Sequence, residues 1–489
     1  MKPEMTKHVS LPVRIVRGIG VTGAIIFLMV APLYFGLPGG PESEHLLSQY
    51  NSAPDLPQAQ SVFDALASSI VFFTSNSFST VYARYALLGL ALCAILAMIL
   101  GHTPAVSSRS VMYAALGWSM VMVGMLFAEQ KLPMAWKHPD MCAHFLLYGV
   151  WYLIAAVFFD KMRVRQIGLL LLIVSATFVC WWAIQQHLVG LQDMRQMYAG
   201  INGFDTFTQY TNSIDFSTIS KKTALAITKL SSDRVFGTFV YPNALGGFLL
   251  IIIPVCIGLY ASRPLGAVRL LSAAVLVLAI VTLMLSKSKA AIGITTFCLL
   301  VLLYYARRAR ALSNSLWIVF SLLVAAVCCG MLAWGYGGEL TGRLQATGGA
   351  RLDYWHAALK MIRDNPVRGY GSGGFTRGYL AYCRPGAEDT RLAHNAFLNI
   401  WTDYGLLGFI GLVLALVMPL LVAWYRTAAA RPFNWLSAAC FAAYLGFVLH
   451  CLVDFDFHII GIVIPALTAL VIAQLPVADA ENKNDYLGM

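Results

Sequence analysis

Long apolar runs, almost free of charge, recur along this chain, and no other feature restricts its fold as much. A stretch of roughly 17–24 apolar residues is long enough to cross about 30 Å of hydrocarbon. Backbone inside lipid must satisfy its own hydrogen bonds, so each run reads as a transmembrane helix. The runs fall at residues 19–35, 85–100, 111–128, 143–159, 167–184, 244–261, 270–285, 290–305, 316–334, 406–424, 435–453 and 459–473. They predict an all-α polytopic membrane protein of about 12 transmembrane helices. Charged residues make up 12% of the 489, about half the share of a soluble domain.

The short connections set the orientation. Lys2, Lys7, Arg14 and Arg17 precede the first span, Lys161, Arg163 and Arg165 fill a second connection, Arg307, Arg308 and Arg310 a third, and Arg426 and Arg431 a fourth. With alternating spans all of these share one side, which predicts that both termini are cytoplasmic. The first run has a basic leader but no small-x-small cleavage site, and reads as an uncleaved helix. The chain then divides into a tail and first span (1–36), an outer loop (37–84), spans two to nine (85–334) with an outer loop at 190–242, a long outer segment (335–404), three final spans (405–475) and a tail (476–489). The formal charge of +11 does not indicate nucleic acid, because the basic residues are split between loop anchors and outer loops. No CxxC pair occurs. Cys93, Cys180, Cys256, Cys298 and Cys440 lie in spans and read as small buried apolar residues, whereas Cys142 and Cys383 fall on the outer face and could pair.

Chemistry is expected on that outer face. Arg234 stands just before the 244–261 span, where it is either a snorkelling arginine or an interfacial anion ligand. In the 335–404 segment, Leu352, Trp355, Leu359 and Ile362 recur at helical spacing, with Arg351 at the first turn of that helix and Asn365-Pro366 ending it. Such a helix is a lid or strut, or it presents Arg351 to a phosphate. The glycines at 369, 371 and 374 formally spell GxGxxG, but no βαβ unit surrounds them. They read instead as a tight connection where bare backbone can approach a ligand, with Tyr370, Gly371 and Phe375, and Asn395 further along, as candidate sugar or loop contacts.

His394-Asn395 follow, then nine residues, then Gly405-Leu406-Leu407-Gly408. The spacing predicts a helix leading into the 406–424 span, with His394 close to its N-terminus. That position favours a neutral imidazole and attracts anions. Gly405 and Gly408 at i,i+3 are expected to admit a neighbouring helix. His450, Asp454, Asp456 and His458 lie at the outer turn of the last hairpin, as possible metal ligands or as a capping and hydrogen-bonding turn; no metal is assigned to them. Lys287 and Lys289 occupy a very short outer turn, either solvated or able to offset phosphate charge.

The His-Asn-x9-Gly-x-x-Gly pattern resembles the signature of the O-antigen ligase and O-antigen polymerase superfamily. Further resemblances are Arg351 followed by Trp355, the Asn-Pro-x-x-Gly-Tyr-Gly-x-Gly-Gly-Phe run at 365–375, and Arg234 before Gly237-Thr-Phe. The resemblance implies a GT-C-type fold with a largely helical periplasmic insertion before the tenth span. It implies an inverting, metal-independent glycosyltransferase of the bacterial inner membrane, without cofactor, its active site on the periplasmic face. The donor would be a glycan on undecaprenyl diphosphate, and the acceptor a hydroxyl of lipid A-core in ligases or another lipid-linked repeat in polymerases. Related members act on protein serine or threonine. By matching position, Arg234 and Arg351 correspond to the diphosphate-binding arginines and His394 to the essential histidine. Many members carry Ser-Arg where this chain has Ser288-Lys289. The turn at 454–458 also resembles a subgroup some of whose members are labelled bicarbonate transporters. A twelve-span transporter is the rival class, but transporters place ionisable groups at the bilayer midplane in paired repeats, and these spans are almost uncharged.

Overall fold

The computed structural model describes residues 11–34, 77–100, 103–104, 106–133, 139–214, 227, 230–239, 241–262, 266–311, 340–388, 390–430 and 432–475. Every regular element among them is helical. In chain order these are α1 (Leu11–Tyr34), α2 (Ser77–Ile99), α3 (Ser108–Glu129), α4 (Pro139–Phe158), α5 (Met162–Gln185), α6 (Leu191–Ile201), α7 (Phe207–Ser213), α8 (Pro242–Ser262), α9 (Ala267–Ser286), α10 (Lys289–Arg308), α11 (Leu340–Asp364), α12 (Gly374–Tyr382), α13 (Ala396–Ala429), α14 (Trp435–His450) and α15 (Ile460–Gln474). Seven stretches within these helices are long and apolar enough to cross a membrane, and four shorter apolar helices accompany them. The expected span at 316–334 and most of the 37–84 loop lie outside the described residues.

Small residues decide the closest packing. On α3, a Cβ added at Gly117 would meet the Ala415 backbone nitrogen at 2.4 Å, and one at Gly124 would meet that of Gly408 at 2.7 Å. Helices α3 and α13 therefore touch backbone to backbone, as small-residue faces permit in lipid. The close approach uses Gly408 and Gly411 rather than the expected pair of Gly405 and Gly408. Gly405 instead breaks α13: its φ of 68° and ψ of −168° are non-helical, and they divide an outer arm from the inner span. Helices α8 and α15 lie innermost, and every residue of α15 is buried. Trp151 of α4 donates its indole N–H to the α15 carbonyl of Ile464 (3.2 Å) and to the Thr468 hydroxyl (3.1 Å).

The break in α13 is filled by the glycine-rich connection. Tyr370 N–H donates to the Thr402 carbonyl (3.0 Å), Gly371 N–H to that of Asp403 (2.7 Å), and Leu406 N–H to that of Pro366 (2.9 Å). Gly369 and Gly371 have positive φ, and a Cβ on Gly369 would strike the Asp403 carbonyl. Glycine is thus required by helix docking.

Candidate functional site

Three chain segments converge beside the turn between α14 and α15. Asp454 receives a guanidinium N–H of Arg351 from α11 (3.2 Å to Oδ2) and the Nδ1 of His394 (3.2 Å to Oδ1). Phe455 sets its ring against His394 (5.1 Å, 68°) and Tyr241 (5.5 Å, 87°). Asp456 pairs with His450 (2.6 Å). Phe457 enters an aromatic socket, stacked on Trp118 (5.9 Å) and Phe145 (5.5 Å), with Tyr148 edge-on at 5.6 Å. That anchored ring holds the polar half of the turn in place.

His394 sits two residues before α13 with φ of 47°, an uncommon backbone state for a side-chain-bearing residue and one that histidine tolerates better than most. Its ring is held between Tyr354, stacked at 5.6 Å and 27°, and the edge-on Phe455. Asn395 caps α13: its side-chain oxygen accepts from the N–H groups of Phe397 and Leu398, each at 3.0 Å. Ala396 N–H donates to the Cys451 carbonyl (2.8 Å), tying the start of α13 to the end of α14.

Arg234 lies in the segment leading to α8. Its Nε donates to the Ser286 carbonyl (2.9 Å) and a terminal nitrogen to Asn243 Oδ1 (2.7 Å). The segment is fixed from behind by Gln186, whose oxygen accepts from Phe236 N–H (2.9 Å) and Gly237 N–H (3.1 Å). Gln186 begins a π-helical turn, Gln186–Gly190, that extends α5 outward. Burial lowers the proton affinity of Arg234; Asp454 opposes that shift and Arg351 adds to it, so all three charges lie within electrostatic reach. Lys289 opens α10, three residues along the chain from Ser286, whose carbonyl Arg234 holds.

The electrostatics centre on Asp454. Burial acts to raise its proton affinity, but His394, His450 and Arg351 outweigh that and keep the carboxyl well below the usual carboxylate range. Asp454 is 1% exposed, whereas the side chains of Arg351 and His394 are 21% and 25% exposed. The anion is thus sealed beneath a guanidinium and an imidazole that are each partly exposed. With Nδ1–H directed at the carboxylate, His394 keeps Nε2 to receive a proton.

Several sequence expectations take another form. Arg351 is well inside α11, not in its first turn. The buried stripe of α11 is Tyr354, Ala357, Ala358, Met361 and Ile362, with Trp355 partly buried, while Leu352 and Leu359 are exposed. Two alanines let α11 settle on Phe375, Tyr379 and Ala393, and that partner rather than bulk hydrophobicity chose the face. Phe375 is fully buried and offers no ring face to solvent. Gly371 is covered by Leu132, and Tyr370 is half-buried with its hydroxyl 3.2 Å from that of Tyr382. Cys383 is a free thiol, and the side chain of Cys142 lies outside the described residues. His458 is buried, which holds its imidazole down at about 4. Sequence reasoning did not single out Tyr354 or Phe455 and gave Asp454 no partner; the one available signal was the density of polar residues in a turn between apolar spans.

The family described as O-Antigen ligase matches residues 273–413. This region is an O-antigen ligase domain. It runs from α9 to the inner part of α13 and holds Lys289, Arg351, Tyr370, Gly371, Phe375, His394 and Asn395. Arg234 and the 450–458 turn lie outside it and join it in space. The chain is accordingly a membrane protein that carries an O-antigen ligase-type region. It is also similar to a Haemophilus influenzae protein described only as uncharacterized, 36% identical over 77 residues, which is 15% of this chain. The matched stretch spans about a fifth (19%) of that relative's length.

Proposed function

We propose that this protein is an O-antigen ligase transferring a glycan from undecaprenyl diphosphate to a hydroxyl of lipid A-core, in an inverting, metal-independent reaction. The site faces the periplasm from the bacterial inner membrane, with both chain termini cytoplasmic. The observation that carries this reading is the meeting of Arg351 and His394 on one buried carboxylate, with Arg234 in electrostatic reach.

The reaction forms a bond between the acceptor oxygen and the anomeric carbon while the bond from that carbon to the diphosphate breaks. Attack on the face opposite the leaving group inverts the centre. Negative charge grows on the departing diphosphate, and Arg234 and Arg351, with Lys289 nearby, stabilise it. The proton of the acceptor hydroxyl passes to His394 Nε2, while Asp454 holds Nδ1–H and balances the imidazolium that forms. The carrier's diphosphate is already a good leaving group, so no nucleotide is consumed.

The test is transfer by purified protein in lipid vesicles, from a polyprenyl-diphosphate glycan to lipid A-core. A second arm supplies only further lipid-linked glycan. Product on lipid A-core that disappears in His394→Ala supports the ligase reading; chain growth in the second arm alone replaces it with a polymerase. Near-wild-type transfer by His394→Ala removes the histidine from catalysis.

A further inference from the structure

Beneath Asp454 lies a second acid–histidine pair that the mechanism does not use. Asp456 Oδ2 is 2.6 Å from His450 Nδ1, and the two side chains are 1% and 0% exposed. Among the described residues, Asp456 Oδ1 and His450 Nε2 have no hydrogen-bond partner. The carboxylate is pressed against α8, where a Cβ on Gly247 would meet Oδ2 at 1.9 Å, so the pair cannot swing away. It faces Asp454 and Cys451 of its own turn and Arg351 of α11, and through Asp454 it reaches His394 and Arg234.

Two buried carboxylates two residues apart push one another toward protonation unless each has a counter-charge. Asp454 has Arg351 and His394, and Asp456 has His450. The His450 carbonyl also accepts the Asp454 N–H at 2.8 Å, so the same residue fixes the backbone of the turn. We infer that His450 and Asp456 are positioning residues, a charge-cancelling pair that keeps Asp454 in the anionic form which orients His394. This deepens the transferase reading and rests on it.

As a carboxylate with an imidazolium the pair is neutral overall, and either single substitution, by removing one of the two charges, spoils the balance. His450→Gln removes the counter-charge of Asp456, favours the protonated state of the Asp454–His394 unit, and moves the acid limb of the pH–rate profile up. Asp456→Asn leaves a cation uncompensated and moves that limb down. Each displacement is expected to be about half a pH unit or more, and the double variant His450→Gln/Asp456→Asn is expected to return close to wild type. Ring 15N shifts of His394, assigned against His394→Gln, report its tautomer on the same proteins without substrate, with the Nδ1–H form expected to weaken in His450→Gln and return in the double variant. Opposite displacements restored in the double variant support the inference. Superimposable profiles with unchanged 15N shifts, or displacements of the same sign, overturn it. If one single variant is not monodisperse in detergent, the other measured against the double variant decides. Wild-type protein that transfers nothing would remove the transferase reading, while the 15N shifts would still test the electrostatic coupling.

Discussion

At Asp454, burial works against ionisation while one guanidinium and two imidazoles work for it, and the three partners outweigh burial. A depressed carboxyl of this kind stabilises the fold above its unfolded value of about 4, and the contribution is lost as pH falls through the lower folded value. Asp454→Asn should therefore melt below wild type at pH 7 in detergent, with the gap narrowing as pH drops below about 4. The same substitution leaves Arg351 without its partner and His394 without its orienting anion. The expected outcome is a fall in kcat of about 10²-fold or more with a smaller change in KM, read from initial rates of transfer. Tyr354→Ala removes the ring stacked on His394 and should also lower kcat, by about tenfold, with expression unchanged. His394 and the two arginines were legible from residue type and order in the chain. Asp454 was visible only as one acid among several, because its partners lie 60 and 103 residues away.

Among the elements, α13 carries the most consequential geometry. Its outer arm ends at the capped histidine, its inner span packs on α3, and Gly405 separates them. Gly405→Ala would place a Cβ 2.1 Å from the Val367 carbonyl at a φ of 68°. It should destabilise by about 2 kcal/mol or more and loosen the 365–375 connection, measured as a lower melting temperature and faster proteolysis there. The helices themselves could be read from apolar length, but the break could not, since a glycine in an apolar run looks the same whether it lets a neighbour in or reverses its own φ. For α11, period alone selected Leu352, Trp355, Leu359 and Ile362; the folded helix buried Ile362, partly covered Trp355, and turned its alanines inward in place of the two leucines.

For the whole molecule, apolar length announced a membrane protein, yet the site draws on segments before, within and after the family-matched region. What joins them is the bundle. Gly117→Leu, at the tightest point between α3 and α13, should separate those helices and lower transfer at least tenfold without touching any charged group, while expression in the membrane fraction persists. Transport offers a separate check: vesicles containing the protein should consume lipid-linked glycan without taking up labelled bicarbonate. The complete burial of α15 has a practical corollary for anyone trimming the gene. A stop codon placed ahead of Ile460 would excise the pillar on which Trp151 rests and leave a hole through the interior.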